Sequence, residues 1–119
     1  PEFINIVIEI EYNLSPESLL EKILLIEKKI GRTRNKKNEP RVCDIDIIDF
    51  RGLVVNKKNI NLPHPKIHER NFVLLPLQEI FPMWIHPIMD KKIDILIKNL
   101  SLKTRNEITR VKESAILAK

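Results

Sequence analysis

The chain has 119 residues, 43% of them apolar, with 21 Lys and Arg against 16 Asp and Glu for a formal net charge of +5. That supplies enough Ile, Leu and Val for one small core and too little chain for a second domain. Two glycines, Gly31 and Gly52, cannot build a Gly-rich phosphate loop or a dinucleotide fingerprint, and one cysteine, Cys43, cannot form an intramolecular disulfide.

No apolar run approaches the roughly 20 residues a membrane span needs, and the first residues lack the basic region and apolar stretch of a secretory leader. With a lone thiol in a Lys-rich chain, a reducing cytoplasm is the expected setting. The chain opens on Pro1 rather than Met and enters an apolar pattern within two residues, so an upstream part is expected to be absent. The charge is local: residues 28–41 carry +6, and everything else sums to −1. Asp44, Asp46 and Asp49 follow at once.

Phe3 to Tyr12 alternates as a half-buried strand does, with Ile6, Ile8, Ile10 and Tyr12 on one face and Asn5, Val7, Glu9 and Glu11 on the other. Ser15-Pro16-Glu17 reads as an N-cap, a proline at the first helical position and an acid in the first turn. Leu19, Ile23, Ile26 and Ile30 then recur at helical spacing, and Gly31 suits the C-terminal cap. Residues 33–40 are loop-like. Val42 to Phe50 reads as a second strand, with Arg51-Gly52 as the tip of a hairpin returning through Leu53-Val54-Val55. Pro63 and Pro65 hold His64 in an extended turn. Ile67 to Ile80 is apolar at helical spacing, with Pro76 opening a new helix or kinking one. Lys91 to Leu100 is a short amphipathic helix, and residues 103–119 form a polar tail.

Asp44-Ile45-Asp46 is the most informative triplet. Side chains at i and i+2 of a strand share a face, with Cα atoms roughly 6.5–7 Å apart. Both carboxylates therefore lean over one site while Ile45 and Ile47 enter the core. Two carboxylates without His or Cys suit a hard cation such as Mg²⁺, which takes one or two carboxylates and completes its shell with phosphates. A solvated polar face of a strand would carry the same pattern. Just upstream, Arg32, Arg34 and Arg41 offer planar forks that match phosphate oxygens, and a basic loop of this kind also fits a nucleic-acid patch. Aromatics make up only 5% of the chain and none lies within the basic run, which removes stacking platforms for single strands. His64 fits a phosphate contact or a structural turn, and Phe72 fits a core position or a stack on a flat ligand. His68, His86, Trp84 and Cys43 show no metal-ligand spacing.

Taken in order, Phe3-Ile4-Asn5, Gly31-Arg32-Thr33-Arg34, Pro40-Arg41-Val42-Cys43-Asp44-Ile45-Asp46-Ile47, Leu62-Pro63-His64-Pro65, and the block from His68-Glu69-Arg70 through Phe72 to Pro76-Leu77 resemble 6-hydroxymethyl-7,8-dihydropterin pyrophosphokinases. The resemblance runs over about residues 1–100. It implies a single α+β domain at 1–119, a ferredoxin-like antiparallel sheet covered by helices, of which the N-terminal strand and helix are missing. It implies transfer of pyrophosphate from ATP to the pterin, releasing AMP, in folate biosynthesis. Asp44 and Asp46 would hold two Mg²⁺ ions, and Arg32 and Arg41 would neutralise the transferring group. Glu27, Arg34, Ile47, His64 and Arg70 would bind ATP, while Phe3, Asn5 and Phe72 would hold the pterin.

The family's Trp-Gly-Pro-Arg stretch is replaced here by Asn38-Glu39-Pro40-Arg41, so an aromatic lid is lost, and Pro65 and Asn59 replace side chains that contact nucleotide in some relatives. The expected partners are small molecules, neither nucleic acid nor membrane, with a monomer when complete. Lost sheet partners should leave an exposed apolar strand edge and a piece that is poorly active and marginally stable. The alternatives are a remnant without chemistry and, from a different class, a basic module that binds RNA through residues 28–41.

Overall fold

The computed structural model describes residues 4–31, 44–100 and 114–118. In chain order these form β1 (Val7–Ile10), α1 (Pro16–Gly31), β2 (Ile45–Phe50), β3 (Val55–Asn56), β4 (Asn61–Leu62), a 3₁₀ turn (Ile67–Glu69), α2 (Asn71–Ile80), α3 (Ile93–Lys98) and β5 (Ser114–Ala118). This is a small α/β arrangement of three helices around a three-stranded sheet.

α1 begins as its sequence dictates. Ser15 Oγ accepts from the Ser18 N–H at 3.1 Å, satisfying one of the helix's orphan donors. Its apolar stripe is longer than the surface it covers. Leu19 and Ile23 are buried, whereas Ile26 and Ile30 are 47% and 42% exposed.

The main sheet has the order β1-β5-β2, and both pairings are parallel. β1 and β2 run the same way because α1 carries the chain back between them, and β5 lies in the gap, giving a split βαβ unit. The antiparallel sheet expected from the resemblance is therefore not the one formed by these strands; antiparallel strand pairing joins β3 to β4. The polar tail read at 103–119 also needs correction at its end. Residues 114–118 are the central strand, with Ile116, Leu117 and Ala118 buried.

A register shift between Ile47 and Asp49 breaks the alternation of β2. Ile47 and Phe50 consequently join the α1 side of the core with Leu19, Ile23, Leu62 and Ile116. Ile48 joins the other side, where α2 and α3 pack Val73, Leu74, Leu77, Ile93 and Leu96 against Val7 and Leu117. The same side decides β1: Val7 is the buried residue, and Ile6 and Ile8 stay about half exposed. Among the described strands β1 is an edge of the sheet, but the side facing β2 is filled by β5.

The turn after β2 forms, and the hairpin does not. Arg51 and Gly52 take φ values of 54° and 72°, and the Leu53 N–H donates to the Phe50 carbonyl at 2.9 Å, the geometry of a tight primed turn. The chain then departs because both edges of β2 are engaged. Arg51 N–H donates to the Ala118 carbonyl and His64 N–H to the Ile48 carbonyl, each at 2.9 Å. Val55 pairs with Leu62 instead. The helical spacing read over Ile67 to Ile80 divides into the 3₁₀ turn Ile67–Glu69 and α2, and Pro76 opens no new helix but lies inside α2. Pro76 has no N–H to give to the carbonyl four residues back.

Asp49 is 4% exposed, and its Oδ1 has no hydrogen-bond partner. Burial raises its pKa, while the Gly52 N–H and the Trp84 indole pull it down. A carboxyl whose folded pKa is raised holds its proton longer in the folded state, so stability falls as pH rises from the ordinary carboxylate range through the raised value. Asp49→Asn removes the charge and keeps the shape. We expect it to stabilise the fold by about 1 kcal/mol at neutral pH and to flatten that part of the pH profile in chemical denaturation. An unchanged profile would contradict this account of Asp49.

Candidate functional site

Parallel strands begin at the same edge of a sheet. Asn5, just before β1, and Asp44, just before β2, are therefore brought to one edge, and the C-terminal end of α1 returns to it with Glu27. Asp44 and Asp46 are both partly exposed. By strand alternation they lie on the face of Ile48, toward α2, which is also the face of Asn5 and Val7.

Glu27 does more than border this edge. Its Oε2 accepts the Ile45 N–H at 2.7 Å, so the helix carboxylate grips the backbone between the two aspartates. Loss of a charge-assisted hydrogen bond costs about 1.5–3 kcal/mol. Glu27→Ala should speed hydrogen exchange at the Ile45 amide by at least about tenfold, and Glu27→Gln, which keeps a carbonyl acceptor, should stay near wild type. Equal exchange in all three proteins would remove Glu27 from this role.

The Pro63-His64-Pro65 turn is fastened to the same strand by the His64 N–H to Ile48 carbonyl bond. The Leu62–Pro63 peptide is cis. The Lys66 N–H donates to His64 Nδ1 at 3.1 Å, which leaves Nε2 to carry the proton of the neutral ring. His64 is held below its usual pKa, chiefly by burial, then by the positive charge of Arg70; Asp46 acts in the opposite direction and Lys66 adds to the lowering. At neutral pH the imidazole is thus uncharged, with Nε2–H as a donor, within electrostatic reach of the Asp46 carboxylate and the Arg70 guanidinium. Arg70 sits at the start of α2 with its guanidinium 5.5 Å from the centre of the Phe72 ring. Phe72 is only partly buried and packs against the α2 side of the core, which fits its reading as a core position.

His64 thus lies within electrostatic reach of Asp46 and Arg70, Glu27 holds the Ile45 N–H beside Asp46, and Asp44 and Asn5 precede their strands at the same edge. Ile47 points to the other, α1-facing side of the core and is 8% exposed, which argues against a direct pocket contact in this form. Phe3, Arg32, Arg34 and Arg41 lie outside the described residues. What sequence reasoning missed is the backbone grip of Glu27, for which the spacing from 27 to 45 carries no local signal.

Carboxylates, an uncharged imidazole and a guanidinium are the kinds of group whose chemistry matches phosphate oxygens and a hard cation. Residues 1–82 match the family model for 7,8-dihydro-6-hydroxymethylpterin-pyrophosphokinase, and the chain belongs to that family. It is 39% identical over 100 residues to a 2-amino-4-hydroxy-6-hydroxymethyldihydropteridine pyrophosphokinase of Synechocystis, covering 84% of this chain and 51% of that protein. A protein of the same name from Aquifex aeolicus is 42% identical over 89 residues, 75% of this chain and 56% of that one. The folic acid synthesis protein FOL1 of Dictyostelium discoideum is 44% identical over 87 residues, 73% of this chain and 13% of its own length. The chain spans about half the length of the bacterial relatives.

Proposed function

We propose that the chain contributes to pyrophosphoryl transfer from ATP to 6-hydroxymethyl-7,8-dihydropterin in folate biosynthesis. The pterin hydroxymethyl oxygen forms a bond to the β-phosphorus, the bond from that phosphorus to the oxygen bridging the α-phosphate breaks, and AMP leaves. The observation that carries this reading is His64 within electrostatic reach of both Arg70 and Asp46, the latter two residues along the chain from Asp44, in a chain of this family.

The donor set fits Mg²⁺. Two carboxylates are what this ion takes from protein when phosphates and water complete its shell, and among the described residues no cluster of three or more His, Cys, Asp and Glu could hold it by protein alone. Asp44 and Asp46 would hold the metal, which the reading takes as two ions. When bound, it supplies charge neutralisation on the phosphate oxygens. Arg70 orients the triphosphate and His64 donates Nε2–H to a phosphate or ribose oxygen. Arg32, Arg34 and Arg41 add positive charge from the basic segment. Asn5 offers an amide that donates to and accepts from the pterin edge, with Phe72 and Phe3 supplying aromatic faces.

The split βαβ unit is the half of a ferredoxin-like sandwich that these residues would contribute to the whole domain. Among the described residues no helix is long and apolar enough to cross a membrane, and a cytoplasmic monomer acting on small molecules is the setting this function favours. The test follows AMP by chromatography in mixtures of ATP, pterin and Mg²⁺. AMP that requires all three, together with a pterin diphosphate, supports the proposal. ADP as product, or ATP breakdown indifferent to pterin, overturns it. Salt-sensitive oligonucleotide binding unaffected by Asp44→Ala would favour the RNA reading instead.

A further inference from the structure

β2 begins at Ile45, and its first register pair with β5 is Ile45 with Ser114. Asp46 is therefore paired within the strand, opposite Ala115, whereas Asp44 stands one residue before it. The N–H of Ile45 belongs to the rigid peptide plane that starts at the Asp44 carbonyl. Glu27 Oε2 accepts that N–H at 2.7 Å, which fixes the plane between the two aspartates. A side chain of α1, 18 positions away in the chain, thus sets the backbone on which Asp44 stands.

Within α1 itself this position favours a cation. Lys28 and Lys29 follow in the last turn, where positive charge suits a helix C-terminus, and a carboxylate beside them gains nothing from the helix dipole. What Glu27 gains is the Ile45 N–H, and a hydrogen bond to an ionised acceptor is roughly twice as strong as a neutral one. Metal sites depend on such groups, which orient the ligands without touching the ion. Removing one costs about 10–100-fold in metal affinity.

We propose that Glu27 is a positioning residue for the Asp44–Asp46 edge and not a nucleotide contact. It acts on a bound cation through the Ile45 peptide, by holding the two carboxylates at a fixed spacing. This rests on the magnesium–triphosphate site proposed for that edge.

Inorganic tripolyphosphate tests the proposal, because it carries the phosphates without base or ribose. Its binding to the full 119-residue chain is measured by calorimetry with and without Mg²⁺, beside that of an α,β-methylene ATP analogue. Glu27→Ala should weaken the Mg²⁺-dependent binding of both by the same factor, about 10–100, and Glu27→Gln, which keeps a carbonyl acceptor, should recover most of it. Should Glu27→Ala fail to fold, the wild-type chain decides through the reciprocity of coupled equilibria: saturation with Mg²⁺ and tripolyphosphate should slow hydrogen exchange at the Ile45 amide by at least about tenfold. The Gly52 amide, beyond the other end of β2, should keep its rate. Undiminished binding by Glu27→Ala, a Glu27→Gln protein as weak as Glu27→Ala, or an Ile45 amide that is not slowed would each overturn the proposal. A loss seen with the nucleotide alone would make Glu27 a nucleotide contact and overturn it too. Failure of the underlying site is told apart, since the wild-type chain would then show no Mg²⁺-dependent binding at all.

Discussion

Asp46→Asn is expected to lower pyrophosphoryl transfer by about 10²–10³-fold, the scale seen when one preorganised electrostatic contact to a reacting group is removed. The substitution keeps the side chain's shape and one oxygen donor but removes a unit of negative charge from a site that would hold a divalent cation. Asp46 is partly exposed and lies within electrostatic reach of His64. The fold should therefore survive, and circular dichroism and the denaturation midpoint should stay near wild type. The charge balance around His64 should change with it: Asp46 is the group that raises the His64 pKa, so its removal lowers that value further. An active Asp46→Asn enzyme would mean that the carboxylate pair is only a solvated strand face.

The second large effect concerns the strand least visible in the sequence. Leu117 is 2% exposed in the middle strand, packed with Ile48, Val73, Leu77 and Trp84. Truncating a buried leucine removes its transfer free energy and leaves a cavity, costing about 3–5 kcal/mol. A small domain has only about 5–15 kcal/mol in total, so Leu117→Ala should show a large drop in urea midpoint with little change in slope. Leu14→Ala, at a position 58% exposed, should change it by no more than about 0.5 kcal/mol. Removal of residues 114–118 should go further, since β1 and β2 both pair with β5 and would each be left with an open edge prone to association. A Leu117→Ala protein as stable as wild type would place these residues outside the sheet.

These two cases mark what was legible in the sequence. Asp46 could be singled out as a candidate because its signal is local: a carboxylate two residues from another on a strand, near arginines, before a Pro-His-Pro turn. α1 was legible for the same reason, since Ser15-Pro16-Glu17 states its cap directly. β5 was not, because Ala115-Ile116-Leu117-Ala118 is a short apolar run at the end of a polar stretch, too brief for periodicity, and its partners lie far away in sequence. The hairpin shows the mixed case. Arg51-Gly52 correctly predicted a tight turn, but where Leu53 to Val55 go depends on which groups already hold the edges of β2, and those are His64 and Ala118. Faces were harder than elements. Val7 rather than Ile6 or Ile8 is buried because α2 packs on that side, and Ile47 turns toward α1.

Binding of a non-hydrolysable ATP analogue with an α,β-methylene bridge tests the central claim most directly, since it reports on the phosphate site without requiring turnover. Calorimetry is run on the wild-type chain and on Asp44→Ala, each with and without Mg²⁺. The Asp44–Asp46 edge as a magnesium–triphosphate site predicts saturable binding by the wild-type chain only when Mg²⁺ is present, and its loss in Asp44→Ala. Binding of equal strength without Mg²⁺, or undiminished in Asp44→Ala, would contradict it.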